Sequence, residues 1–174
     1  MNRIELVLPT KAYEAQVLDY KKEFEINGDS MDGTAGLKNA KNFEEWLTAI
    51  IENSKEETVR VGLVPSSTYL AVRICDQTII GMIDIRHRLN DHLLQNGGNI
   101  GYSVRKAERL KGYAKEMLSL ALKNCKYINI KKVLITCDKE NIASAKTIIR
   151  NGGILENELS EGSRITQRYW ISLV

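Results

Sequence analysis

The sequence predicts an α+β fold: a mixed, mostly antiparallel central sheet flanked by helices, with one strand–helix–strand (βαβ) unit. Two observations carry this prediction. Three β-rich runs follow one another in the middle of the chain, and a helix, a strand and a second helix come after them. That order differs from the regular strand–helix alternation of a doubly wound sheet. Since the 174 residues contain no composition shift or low-complexity linker, residues 1–174 are expected to form a single domain.

The N-terminal part is predicted to contain one strand and two helices. Residues 4–8 (IELVL) form the strand. Residues 10–26 carry apolar side chains at helical spacing, and residues 27–37 form a loop rich in Gly, Asp and Ser. The second helix covers residues 42–54, because Asn42 is a suitable N-cap and the apolar residues after it share one face.

The middle of the chain is predicted to be a hairpin, a third strand and a long helix. Residues 67–74 and 78–89 are β-rich runs separated by a short turn, and residues 99–105 form the next strand. Residues 90–98 (NDHLLQNGG) are expected to connect the second and third of these strands. A helix follows over residues 108–128. Its apolar stripe consists of Ala114, Met117, Leu118, Ala121, Leu122 and Cys125.

The C-terminal part is predicted to be strand, helix and two strands. Residues 131–138 (KKVLITCD) have the continuous apolar character of a buried strand. Residues 141–153 form a helix, which Asn141 caps and two glycines end. Residues 153–160 and 164–173 then form the last two strands.

Composition narrows the class of protein. The net charge of +3 is too small and too dispersed for a nucleic-acid-binding surface. Three cysteines without a CxxC pair indicate neither a disulfide framework nor a zinc site, so no metal is expected. No apolar run approaches the roughly 20 residues of a membrane span, and the N-terminus lacks a signal-peptide core. A soluble cytoplasmic protein with no nucleic-acid or membrane partner is therefore expected.

Residues 108–117 (ERLKGYAKEM) carry the strongest chemical signal. The first N–H groups of a helix have no partner in the helix, and Gly112 and Ala114 leave the backbone accessible there. Arg109, Lys111 and Lys115 add cations, so the stretch is suited to a diphosphate. A helix start with solvated basic side chains is the alternative. The chain contains neither GxxxxGK[ST] nor GxGxxG, which disfavours NTPases and dehydrogenases.

The spacing of three motifs resembles that of the GNAT family of N-acetyltransferases. Val104 precedes Arg109-Leu110-Lys111-Gly112-Tyr113-Ala114 by five residues, and Asn141 and Ser144 open the next helix at the family's interval. The resemblance covers roughly residues 67–155. It implies the GNAT-like acyl-CoA N-acyltransferase fold and acetyl-CoA as cosubstrate.

The resemblance also implies where acetyl-CoA lies. It would occupy a V-shaped gap between residues 99–105 and 131–138. The residues implied to bind it are Tyr102, Ser103, Val104, Arg109, Leu110, Lys111, Gly112, Tyr113, Ala114, Lys115, Asn141 and Ser144. Among them, an N–H near Val104 would polarise the thioester carbonyl. Asn141 can also be a plain helix cap.

The implied reaction is transfer of the acetyl group to a primary amine by direct attack on the thioester. Residues 1–60 would lie on the acceptor side, 67–155 would form the acyl-CoA-binding core, and 156–174 would add C-terminal strands. The acceptor would be a small molecule or a peptide, and a homodimer is possible. The alternative is a catalytically weak or inactive coenzyme A-binding or sensing module of the same fold.

Two residues are candidates for the base that the attacking amine needs, Asp84 and His87. Both also have structural interpretations, as an ion-pair partner and an exposed histidine. Many family members place a tyrosine acid seven residues after the helix-opening Asn, where this chain has Ile148. The alternatives for the acid are water, Tyr102, Tyr113 and Tyr169.

Two further features on the N-terminal side have open interpretations. The aromatic residues Tyr13, Tyr20, Phe43 and Trp46 are candidates to line an acceptor pocket, although core positions are the commoner outcome. Residues 31–36 (MDGTAG) are expected to be either a flexible lid or an ordinary loop.

Overall fold

The strands of the computed structural model, which describes residues 2–173, form two antiparallel sheets. The first sheet has its strands in the order β1 (Ile4–Val7), β2 (Ser66–Arg73), β3 (Ile79–Arg86) and β4 (Ile100–Val104). The second contains β5 (Lys132–Asp138), β6 (Ile154–Glu161) and β7 (Arg164–Ser172), with β7 between the other two. The predicted α+β class is confirmed.

The two sheets meet where β4 approaches β5. Gly98 and Ile135 form an isolated bridge, and the Asn99 N–H donates to the Leu134 carbonyl at 2.7 Å. The Leu134 N–H donates in turn to Asn99 Oδ1 at 2.9 Å. Beyond this point no ladder joins β4 to β5 within residues 2–173. The central sheet is therefore divided, and its division leaves a gap between these strands.

Helices cover both faces of the sheets. Helices α1 (Glu14–Asn27) and α2 (Phe43–Glu52) pack on one face of the first sheet, and the short helix α3 (Asp91–Asn96) connects β3 to β4. Helices α4 (Tyr113–Tyr127) and α5 (Ile142–Ile149) pack on the opposite face. Because side chains alternate along a strand, β2 and β3 contribute apolar side chains to two separate cores, one on each face of the sheet. No helix among residues 2–173 is long and apolar enough to cross a membrane.

Asparagine side chains begin three of these helices. Asn42 accepts the Glu45 N–H at 2.9 Å, and Asn141 accepts the Ser144 N–H at 3.1 Å, as the sequence predicts for both caps. Asn90 caps α3 in the same way, through the Leu93 N–H at 2.9 Å. The connection between β3 and β4 therefore contains a short helix that was not predicted from the sequence.

Helix α4 begins at Tyr113, five residues later than the predicted start at 108. A 3₁₀ turn covers Lys106–Glu108, and Leu110 and Gly112 then have left-handed backbones, with φ of +62° and +86°. An α-helix of L-residues cannot continue through such conformations. The motif is thus a turn in front of the helix. Helix α5 likewise ends at Ile149, before the predicted end at residue 153.

Candidate active site

The turn before α4 presents a run of free backbone donors. The N–H groups of residues 110 to 115 have no acceptor within residues 2–173. The first N–H after them, that of Glu116, donates to the Gly112 carbonyl at 3.3 Å. Unpaired N–H groups together with the positive end of the α4 dipole form an environment that binds anions.

The backbone conformation itself favours glycine at position 112. Its φ of +86° disfavours any residue with a Cβ atom, and a Cβ there would lie 3.4 Å from Arg3 Nη2. Leu110 adopts φ of +62° although it is not glycine, and its side chain is 98% exposed. No packing therefore offsets the strain at Leu110.

Two of the three cations predicted for this turn are paired within the chain. Arg109 Nη2 contacts Asp29 Oδ2 at 2.7 Å, and Arg109 Nε donates to the Val104 carbonyl at 3.0 Å. Lys111 Nζ lies 3.1 Å from Glu108 Oε2. Their charges are thus partly neutralised, and the backbone N–H groups are the less engaged donors.

Arg3 also lies at the turn, although no sequence pattern indicated it. Its Nη1 donates to the Lys111 carbonyl at 3.0 Å, and its guanidinium lies 4.4 Å from the centre of the Tyr113 ring. Its Nε contacts Glu116 at 3.0 Å. Lys115, by contrast, has an exposed side chain without an ion-pair partner in the described part of the chain.

Strand β4 directs two further free donors toward the gap. The Arg105 N–H donates to the Ile80 carbonyl, and the register pairs Val104 with Gly81. Because alternate residues of an antiparallel strand face opposite sides, the amides of Tyr102 and Val104 face away from β3, toward β5. Neither N–H has an acceptor among residues 2–173.

The Ser103 side chain lies on the face of the first sheet that α1 and α2 cover. Its hydroxyl donates to the Asp32 carbonyl at 2.6 Å and lies 3.0 Å from the Tyr20 hydroxyl. Gly33 packs against Gly101, so closely that a Cβ on Gly33 would lie 2.3 Å from the Gly101 carbonyl oxygen. The segment 31–36 is thereby held against β4 as a packed loop.

The Tyr102 side chain crosses from β4 to α5. Its hydroxyl lies 2.9 Å from Ser144 Oγ, so the structure brings together two residues that the sequence singled out. Burial raises the pKa of Tyr102 to about 12, against the opposing effect of the Ser144 hydrogen bond. Ile148 is fully buried in the core between α4 and α5, and it supplies no hydroxyl.

The other two tyrosines considered as acids are engaged elsewhere. The Tyr113 ring is buried beneath the Arg3 guanidinium. The Tyr169 hydroxyl donates to Gln167 Oε1 at 2.8 Å, on the second sheet. Of the three, Tyr102 is therefore the one whose hydroxyl lies between β4 and α5.

A cavity of about 560 Å³ lies on the α2 side of the first sheet, and Asp84 is part of its wall. Asp84 is 4% exposed and accepts a hydrogen bond from Thr68 Oγ1 at 2.9 Å. Burial raises the pKa of Asp84, while Arg86, whose Nε lies 3.8 Å from Asp84 Oδ2, opposes the shift. The cavity thus contains a carboxyl group that is biased toward its neutral form.

His87 and Asp84 have different hydrogen-bond partners. His87 follows the end of β3, and its Nε2 lies 2.8 Å from Ser67 Oγ. Burial lowers the pKa of His87, so its ring is mostly neutral at pH 7. Its side chain is not part of the cavity wall.

Among the N-terminal aromatic residues, Trp46 belongs to the cavity wall. Its indole N–H donates to the Thr34 carbonyl at 2.8 Å, which fixes the ring. Tyr20 and Phe43 are fully buried in the core beneath α1 and α2, and Tyr13 packs against that core. Residues 2–173 contain no group of three or more His, Cys, Asp or Glu side chains that could hold a metal ion.

Comparison with known proteins places this geometry in a family. A family model described as the acetyltransferase (GNAT) domain matches residues 3–154. The search of curated proteins found no match.

Solved structures with the same fold cover nearly the whole chain. The ribosomal-protein-S5-alanine acetyltransferase from Vibrio fischeri is 14% identical, with a TM-score of 0.71 over 99% of this chain and 94% of that one. The microcin C7 self-immunity acetyltransferase MccE, solved with acetyl-CoA and AMP, is 20% identical, with a TM-score of 0.70 over 99% and 93%. A chimera of the Vibrio cholerae spermidine N-acetyltransferase SpeG and hSSAT is 14% identical, with a TM-score of 0.68 over 99% and 96%. Because the family model covers most of the sequence, the chain belongs to the GNAT family and is an acetyltransferase.

Proposed function

We propose that this acetyltransferase transfers the acetyl group of acetyl-CoA to a primary amine by direct attack of the amine on the thioester. The observation that carries the proposal is the set of free N–H groups at residues 110 to 115, together with those of Tyr102 and Val104. The first group suits a diphosphate, and the second suits an extended chain with amide and carbonyl groups.

Each part of the chain has a role in this proposal. The turn of residues 109–115 binds the diphosphate, and the core of residues 67–155 holds the rest of acetyl-CoA. The Val104 N–H polarises the thioester carbonyl, because a fixed donor stabilises the negative charge that develops on that oxygen. Residues 1–60 lie on the acceptor side, while 156–174 complete the second sheet.

Asp84 is our first choice for the base. The register pairs it with Gly101 on β4, three residues before Val104, so the end of the cavity at Asp84 lies along the same strand as the proposed thioester position. Burial raises the pKa of Asp84 toward the higher pKa of the amine. A smaller difference between the two pKa values favours transfer of the proton from the amine to Asp84, directly or through water. His87 is the second choice, since its side chain is turned toward Ser67.

Tyr102 is our choice for the group that donates a proton to the departing thiolate. Its hydroxyl is protonated at neutral pH, as that of any tyrosine is, and Ser144 orients it between β4 and α5. Tyr102→Phe is expected to lower kcat by about 10²-fold or more with little change in KM for acetyl-CoA. Tyr169→Phe, which removes a hydroxyl bonded to Gln167, is the matched control. Equal activity of both variants would exclude Tyr102 from this role.

A coenzyme A-binding module without turnover is the second candidate, and Ile148 is the observation that favours it. This buried side chain stands where many family members have the acid. The two candidates differ in whether bound acetyl-CoA is consumed.

The experiment that tests the proposal combines binding and turnover. Acetyl-CoA is titrated calorimetrically, and release of the coenzyme A thiol is then followed with a panel of amines. The panel contains spermidine and an alanine-initiated peptide, because similar structures are named for such acceptors. Binding with amine-dependent thiol release supports the transferase. Binding without release for any amine supports the module, and no binding refutes both.

A further inference from the structure

The cavity beside Asp84 is lined by two arginines, Arg60 and Arg86, that have unpaired guanidinium N–H groups. The guanidinium of Arg60 has no partner among residues 2–173. Arg86 Nη1 donates to the carbonyls of Gly97 and Gly98 at 3.3 and 3.2 Å, and Nε faces Asp84. Arg86 Nη2 has no acceptor in the described part of the chain. Both residues line the cavity, Arg60 from an exposed position, and both have free N–H groups.

The acidic side chains of the cavity do not neutralise these arginines. Asp84 already accepts from Thr68 and lies beside Arg86, and burial weakens its charge by raising its pKa. Glu45 is exposed on α2 and forms no ion pair within residues 2–173. The cavity thus combines the buried carboxyl of Asp84, whose pKa burial raises, with two cationic side chains.

We infer that the acceptor is a small primary amine carrying an anionic group, which Arg86 and Arg60 bind while the amine lies at Asp84. This inference rests on the proposed transferase function and names its substrate class. Guanidinium groups bind carboxylates and phosphates through paired hydrogen bonds, so either anion satisfies the site. A volume of about 560 Å³ suits a small molecule. A polyamine, by contrast, would bring further positive charge to two arginines.

Matched pairs of amines test the inference under saturating acetyl-CoA. Alanine is compared with alaninamide for a carboxylate, and phosphoethanolamine with ethanolamine for a phosphate. Spermidine serves as the polycation. The anionic member of at least one pair is expected to have a kcat/KM at least about 10-fold above its neutral partner, since a hydrogen bond to a charged group contributes that much. A higher kcat/KM for alanine than for alaninamide identifies a carboxylate, and a higher kcat/KM for phosphoethanolamine than for ethanolamine identifies a phosphate.

The Arg60→Gln variant tests whether Arg60 binds the anionic group of the acceptor. Arg60 forms no bond in the chain that its loss would break, whereas Arg86 also holds the Gly97 and Gly98 carbonyls. Arg60→Gln is expected to raise KM for the anionic amines about 10-fold and to leave their neutral partners unchanged. Arg88→Gln is the control, because Arg88 is exposed and pairs with Glu56 at 2.6 Å outside the cavity.

The outcomes separate this inference from the proposed function. Failure to bind acetyl-CoA in the titration refutes the proposed function. If acetyl-CoA binds, three results overturn the acceptor class alone. The first is a kcat/KM for neutral amines or spermidine equal to that for the anionic amines, and the second is an Arg60→Gln variant with the same KM for anionic amines as Arg88→Gln. The third is that no anionic amine is acetylated and none raises the melting temperature of the protein.

Discussion

Replacing Ala114 by proline removes one N–H donor at the start of α4 and no hydrogen bond within the helix. Ala114 is the second residue of α4, and its N–H has no acceptor within residues 2–173. Proline is tolerated in the first turn of a helix because the N–H it lacks is unpaired there. Ala114→Pro therefore changes the proposed diphosphate site with limited effect on the fold.

The lost contact sets the smallest effect, and the proline ring adds to it by covering backbone that Ala114 leaves accessible. A hydrogen bond to a charged group contributes about 1.5 to 3 kcal/mol. Loss of one such bond to a phosphate raises the dissociation constant of acetyl-CoA about 10- to 150-fold. Because the neighbouring N–H groups remain, binding is weakened and not abolished.

Calorimetric titration with acetyl-CoA measures this change. The control is Glu44→Pro, at the second position of α2, where only an exposed ion pair with Lys11 is lost. Both variants are expected to remain folded, as judged by circular dichroism, and Glu44→Pro is expected to keep the affinity of the original chain. An Ala114→Pro variant that is folded and binds within about threefold of the original chain would refute the site.

Two predictions concern stability. Asp84→Asn is expected to raise the free energy of unfolding at pH 7, since the raised pKa of Asp84 means that its ionisation opposes folding as pH rises above about 4. The advantage should vanish below that pH in urea titrations; an advantage that is independent of pH would contradict the burial argument. Leu110→Gly is expected to raise the free energy of unfolding by about 0.5 to 1 kcal/mol. The reason is that the strain relieved at the left-handed backbone exceeds the entropic cost of ordering a glycine on folding. A less stable Leu110→Gly variant in the same assay would show that the turn is not strained.

Local signals predicted most elements of the fold. Asn42 and Asn141 were recognised as caps because capping depends on residues three apart, and the apolar stripe of α4 depends on helical spacing. The start of α4 was predicted wrongly because nothing in the sequence marks Leu110 as left-handed. Asn90 did carry a capping signal for α3, and the shortness of that helix concealed it.

The candidate site was predicted less completely, because its contacts join distant parts of the chain. Arg3 reaches Lys111 across 108 positions, and Tyr102 reaches Ser144 across 42. Tyr102 and Ser144 were named for other reasons, but their hydrogen bond depends on how β4 and α5 pack. Arg60 carried no signal at all, since its relation to the cavity exists only after folding.

Release of the coenzyme A thiol from acetyl-CoA, measured with and without an acceptor amine, tests the central claim most directly. We predict that the anionic amines produce thiol release in equal amount to N-acetylated product, and that Ala114→Pro slows this release when acetyl-CoA is below saturation. Thiol release that no amine accelerates, from protein that binds acetyl-CoA, would contradict the transferase.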